Sequence, residues 1–570
     1  MESLNSADAP AAMSPYEALL GAAISVPISH YVCGFLLIII VYLYRFLEIH
    51  VLQDLLSGFR GQPVTLTFNP SSEVYHDVIS KCSILHGRYL STPWLCSPHL
   101  QTLFIHYLGN PPLVNYRRQL FITSDGGTVA LDWVKNPEVK KPVFQENDEV
   151  RQDNKNPIII IIPGLTSDSD SAYVKHLAFK MAKHGWNVVV TNHRGLGGVS
   201  ITSDCFYSAG WTEDVRKIID HIHCKFPEAP LFVVGTSIGA NILIKYLGED
   251  GVSVPISGAA AICSPWDPLI CDRFMNRRLV QRFYNKALAI GLKDYANVDR
   301  LDLDMEFYRH EAVLSRLSNW EGVKKSRSVR DFDDCATRVL GNFETVDTYY
   351  RRCASANFVG SVAVPLLCIN SLDDPVCTSE AIPWDECRLN SNIVLATTQH
   401  GGHLPYFEGL AAKSVWWVRA VEEFFSVLQS SPLSHRKKEM PDSSSNNPFQ
   451  SSIDHAPYVH ILEDGIVTAV GNEVDLGVQG LENADQNKTQ DMFSIEGKQT
   501  PGLDQTPHLD VEHVGPVKKS LNQISRQNRK SLWLLGYIAI ITTWPLVGSA
   551  LKIFFKKKFQ NRLSLSSFRR

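Results

Sequence analysis

"VVGTSIGANILIKYL", residues 233–247, places Ser237 between Gly235 and Gly239 at a change of texture. Two valines lead in, and an amphipathic run (Ile242, Leu243, Tyr246, Leu247) leads out. A serine on a strained turn between a strand and a helix is the Gly-x-Ser-x-Gly nucleophile elbow. Glycines on both sides let strand and helix approach without side-chain clashes. The competing reading is an ordinary Gly-Ser-Gly turn. The strand-like run before the motif and the helix-like run after it favour the elbow.

Working outward, short and nearly continuous apolar runs recur at 157–164, 186–195, 230–235, 256–264, 364–371 and 392–398. Strands buried on both faces read this way. Helical periodicities lie between them, one through Val174, Leu177, Ala178 and Met181, another through Val215, Ile218, Ile219 and Ile222, and a last one over 411–429. Upstream, 117–134 reads as a hairpin around Asp125-Gly126-Gly127. The expected class is α/β, a mostly parallel central sheet with helices on both faces. The long interval 265–363 is charged and helical in texture, and we read it as a helical cap over the site. The alternative is a helical insertion that never meets substrate.

A serine hydroxyl needs a base, and the base needs an orienting carboxylate, in the chain order Ser, Asp/Glu, His. After the run 364–371 come Asp373 and Asp374. After 392–398 comes "QHGGHL", with His400 and His403. His403 follows the glycines and precedes the last helix, so it is the expected base, with His400 as runner-up. Of the two acids, Asp374 precedes Pro375, which biases it to extended geometry, and it is the expected partner. Alternation along an extended chain turns Asp373 the other way. The oxyanion donors are expected to be the Ile238 amide and the Leu165 amide of "PGLTSDSDS".

Composition bounds the rest. The chain has 570 residues, 20% charged and 44% hydrophobic, with formal net charge −4. That balance argues against a nucleic-acid partner. The 12 cysteines show no Cys-x-x-Cys pair, and no His cluster has ligand spacing, so neither a metal nor another cofactor is expected. Residues 22–44 carry no charge and are long enough for a bilayer span; 531–551 is a second candidate, with Trp and Tyr near its ends. Residues 1–21 form an amino-terminal tail. Acidic Glu2, Asp8 and Glu17 precede the first segment and Arg45 follows it, which favours a cytosolic catalytic side. Residues 431–530, rich in Ser, Pro, Asn and Gln, read as a disordered linker, and 552–570 as a basic tail suited to an anionic membrane surface.

"TPWLCSPHLQTL" (92–103), "PGLTSDSDSAYVKHL", "VVTNHRGLGG", "GTSIGANILIKYLGE", "NSLDDP" and "HGGHLPYFEG" together resemble the AB hydrolase 4 family over roughly residues 90–430. The resemblance implies an α/β-hydrolase fold, with Ser237 as nucleophile, Asp374 as acid and His403 as base. It also implies an amino-terminal membrane anchor. Pro163 departs from it, standing where the family usually has a histidine before Gly-Leu. The function expected is a membrane-anchored serine hydrolase of carboxylic, lipid acyl esters. An alcohol O-acyltransferase using the same triad is the second reading, and an inactive membrane scaffold the third. The expected location is a membrane, single- or two-pass, with the endoplasmic reticulum first among organelles.

Overall fold

The computed structural model describes residues 27–46, 61–109, 111–135, 155–296, 310–435, 459–461 and 467–469. Nine strands form the main sheet: β1 (Thr65–Phe68), β2 (Tyr116–Ile122), β3 (Thr128–Val134), β4 (Ile158–Ile162), β5 (Asn187–Thr191), β6 (Leu231–Thr236), β7 (Gly258–Ile262), β8 (Leu366–Ser371) and β9 (Ile393–Thr398). Their spatial order is β1-β9-β8-β7-β6-β4-β5-β3-β2. The six central strands run parallel. The β2–β3 hairpin closes one edge antiparallel to β5, and β1 closes the other antiparallel to β9.

Every central strand is buried along its length because both faces are covered. The pleat sorts β4 cleanly. Ile159 and Ile161 pack with the helices Ala172–Lys183 and Trp416–Gln429. Ile158, Ile160 and Ile162 pack with Glu213–Lys225 and Ile238–Asp250. The helix expected over 411–429 begins at Trp416, because Ser414–Val415 first pairs with Phe407–Glu408. β1 was not expected. Four residues of mixed exposure give little local signal, and their partner strand lies more than 300 residues onward.

The Asp125 turn is tied to the sheet through Arg194, whose buried guanidinium bonds both Asp125 and Asp214. Its hydrogen bonds hold the Asp125 carboxyl well below the usual range. The "NHRG" loop, the hairpin and the helix Glu213–Lys225 are thereby fixed as one piece, beside the site.

Among the described residues, 265–363 contains helices and turns and no strand, including Pro268–Arg277, Leu279–Tyr295, His310–Leu317 and Val346–Cys353. The apolar segment expected over 22–44 forms a helix at Ile28–Phe46, with Phe35, Leu37, Ile38 and Ile40 exposed. Among the described residues no helix is long and apolar enough to cross a membrane. Within the expected linker, Val459–Ile461 and Val467–Ala469 pair antiparallel. Short β-branched runs around Asp464-Gly465 are a hairpin signal that the polar average of the segment conceals. The segment's first residues form a short 3-10 helix at Pro432–His435; its other residues, the amino-terminal tail and residues 531–570 lie outside the described residues.

Candidate active site

Strand β6 ends at Thr236 and a helix begins at Ile238, so Ser237 alone makes the turn. Its φ of 53° and ψ of −122° lie where a non-glycine residue is strained. The flanking glycines are sterically required. A Cβ on Gly235 would sit 2.5 Å from the Gly239 carbonyl oxygen. A Cβ on Gly239 would sit 2.4 Å from the carbonyl oxygens of Ile162 and Pro163. The Ser237 N–H donates to the Ile262 carbonyl at 2.8 Å, which ties the elbow to β7.

Three residues expected from sequence form one hydrogen-bonded chain. Ser237 Oγ lies 3.0 Å from His403 Nε2, and His403 Nδ1 lies 2.9 Å from Asp374 Oδ2. The Asp374 side chain is fully buried. Its Oδ1 accepts the Val376 and Cys377 N–H groups, each at 2.8 Å, so the carboxylate is fixed from behind. The neighbouring acid behaves differently. Asp373 Oδ1 accepts the Gly402 N–H at 2.9 Å, and its Oδ2 pairs with His400 Nδ1 at 3.2 Å. Asp373 and His400 thus brace the loop that carries His403, and His400 is paired away from Ser237.

The loop after β4 is held by side chains whose part the sequence did not reveal. Gly164 N–H donates to Tyr173 Oη at 2.9 Å, and Thr166 N–H donates to Tyr207 Oη at 3.2 Å. Leu165, the residue between them, lines the cavity. His193 bonds the backbone at Pro163, the position that departs from the family pattern. Its Nε2–H donates to the Pro163 carbonyl at 3.0 Å, while its ring stacks on Tyr207 at 4.6 Å. Burial lowers the His193 pKa, which favours this neutral donor form. Thr102, in the segment "SPHLQTL", is another residue that sequence reasoning passed over. Its Oγ1 accepts the His403 N–H at 3.1 Å and so seats the histidine loop.

Ser237, Ile238, Leu165 and His403 open on one cavity of about 140 Å³. The 265–363 region also lines it, through Met275, Leu288, Val329, Tyr349 and Tyr350. Asp333 also faces it. Burial pushes the Asp333 carboxyl up to about 6, against the hydrogen bonds it accepts from Thr337 and Tyr350. The arrangement lets His403 take the Ser237 proton while Asp374 steadies the imidazolium. Leu165 and Ile238, whose amides are the oxyanion donors expected from sequence, both line this cavity.

A family profile for the alpha/beta hydrolase fold matches residues 157–410. The chain is 35% identical over 366 residues to embryogenesis-associated protein EMB8 of Picea glauca, covering 63% of this chain and 76% of that protein. It is 30% identical over 349 residues to phospholipase ABHD3 of Homo sapiens, covering 61% and 80% respectively. It is 29% identical over 392 residues to medium-chain fatty acid ethyl ester synthase/esterase 2 of Saccharomyces cerevisiae, covering 60% and 86%. The matched span contains the elbow, both loops that follow β8 and β9, and the six parallel strands that align them, and on these grounds the chain belongs to the α/β-hydrolase family, in its AB hydrolase 4 branch.

Proposed function

We propose that the protein is a membrane-anchored serine hydrolase that cleaves carboxylic esters of lipid acyl chains. The observation that carries this reading is the continuous Ser237–His403–Asp374 chain opening on a cavity with aliphatic and aromatic walls. Ser237 Oγ attacks the ester carbonyl as His403 Nε2 takes its proton. The oxyanion is received by the Leu165 and Ile238 N–H groups. His403 then returns the proton to the departing alcohol, and water repeats the sequence on the acyl-enzyme. The helical region 265–363 acts as the cap, and its apolar cavity side chains shield the acyl chain from water. The phospholipase relative supports a lipid ester as substrate.

Transfer of the acyl group to an alcohol is the second reading, favoured by the synthase/esterase relative. An alcohol takes the place of water at the same acyl-enzyme. Product analysis of membrane lipids incubated with the full chain, with and without added alcohol, separates the two. Free fatty acid in both arms is the expected result. New ester formed at the expense of free acid establishes transfer. Failure of a fluorophosphonate probe to label the protein would leave the scaffold reading instead.

The exposed apolar helix Ile28–Phe46 supports anchoring. Removal of residues 1–50 is expected to leave part of the protein in the carbonate-resistant membrane fraction, held by 531–551. Removal of both ends is expected to release it. Complete release after the first deletion would show that the carboxyl-terminal segment is no anchor.

A further inference from the structure

Cys263 follows the last residue of β7, beside the strand that carries the elbow. Its side chain is fully buried, and its N–H is held by the Ile369 carbonyl at 2.8 Å. The thiol donates to Tyr406 Oη at 3.7 Å. The proposed triad makes no use of this thiol. Cys263 Sγ, one Asp374 carboxylate oxygen and one His403 ring nitrogen all lie within 4.8 Å of one another.

A thiol, a carboxylate and an imidazole form the S, O and N donor set that zinc and cadmium prefer over harder cations. The charges also match. A thiolate and a carboxylate cancel a divalent cation, and a neutral imidazole adds nothing, so the filled site is electrically neutral. That matters in a buried setting, where net charge is costly. Of the three residues, His403 borders the cavity, beside Cys271 and Cys377, and a cation would enter there.

We propose that Cys263, Asp374 and His403 form a site for a thiophilic divalent cation, and that filling it switches ester cleavage off. The cation bonds to Cys263 Sγ, an Asp374 oxygen and His403 Nδ1. The thiol proton leaves to solvent. The Nδ1 proton is displaced and, by exchange with solvent, the ring carries its proton on Nε2 instead. An Nε2–H facing Ser237 Oγ has no lone pair for the serine proton, so the nucleophile stays a hydroxyl. One proton is released per cation bound. The switching half of the proposal rests on the catalytic reading of Ser237, His403 and Asp374, whereas the binding half does not.

The test uses the full chain in detergent, titrated with cadmium and, separately, zinc. Wild type is compared with Cys263→Ser and Cys263→Ala. Two signals are followed: the ultraviolet thiolate-to-cadmium charge-transfer band, and fluorophosphonate labelling of Ser237. Wild type is expected to lose labelling with the same midpoint at which the band grows, and to recover with EDTA. Loss of an outer-shell partner alone costs about 10–100-fold in metal affinity, so loss of a ligand should raise the midpoint by at least about 100-fold. Both Cys263 variants are expected to label normally without metal and to lack that component of the band. Unchanged midpoints in both Cys263 variants would overturn the proposal. So would a shift produced by Cys271→Ser or Cys377→Ser and by neither Cys263 variant. A chain that never labels defeats the catalytic reading, and the cadmium difference band between wild type and Cys263→Ser then decides the site alone.

Discussion

Ser237→Ala is expected to abolish fluorophosphonate labelling and lower ester cleavage by about 10⁶-fold, with the fold intact. The size of the loss follows from cooperation. His403 has no serine proton to accept once Oγ is gone, and Asp374 then steadies an imidazolium that never forms. What remains is binding and the two amide donors, which still favour a charged oxygen over bulk water. The fold should hold because Oγ's partner in the site is His403 Nε2, while the elbow is held by the Ser237 N–H bond to Ile262. Alanine carries the same Cβ as serine, so the strained φ of 53° is no worse for it. The check is active-site labelling and turnover of a soluble ester beside circular dichroism. Activity within tenfold of wild type in a folded variant would remove Ser237 from the mechanism.

Asp374→Asn is expected to lower kcat by about 10⁴-fold, and Asp373→Asn by far less. The reason is the direction in which an asparagine must sit at 374. Oδ1 of Asp374 accepts two backbone N–H groups, from Val376 and Cys377. An amide NH₂ cannot replace an acceptor there, so the asparagine carbonyl oxygen keeps that place and the NH₂ turns to His403 Nδ1. Nδ1 must then accept, and the ring proton moves to Nε2, opposite Ser237. The base is lost by tautomer, with the geometry unchanged. At 373 the same substitution keeps an acceptor for the Gly402 N–H, and the weakened contact is the 3.2 Å one to His400. His403 stays seated by the Thr102 hydroxyl and by Asp374. Steady-state kinetics of both variants on one soluble ester decide the matter. A larger kcat loss at Asp373 would reverse the assignment.

Much of the sheet was legible in the sequence because burial on both faces writes itself locally. Each of β4 to β9 is a short apolar run, and such a run reads the same wherever its partners lie. The elbow was legible for a similar reason. Gly235, Ser237 and Gly239 sit within one turn, and the clashes that demand the glycines are set by adjacent elements. Asp374 and His403 were legible from the chain order that an elbow serine demands and from their places after strands, with Pro375 favouring Asp374 over Asp373.

What the tertiary structure decided are contacts between segments distant in sequence. β1 pairs with β9 across more than 300 residues, and nothing in "TLTF" names that partner. The Thr102 hydroxyl reaches the His403 amide over a separation of 301 residues. His193 donates to the Pro163 carbonyl across 30 residues. Tyr173, Tyr207 and Cys263 look in sequence like ordinary core residues. Their hydroxyls and thiol acquire meaning only where parallel strands bring their carboxyl ends side by side. Side-chain periodicity reports which face of an element is buried, but it carries no address for the polar atom that face will meet.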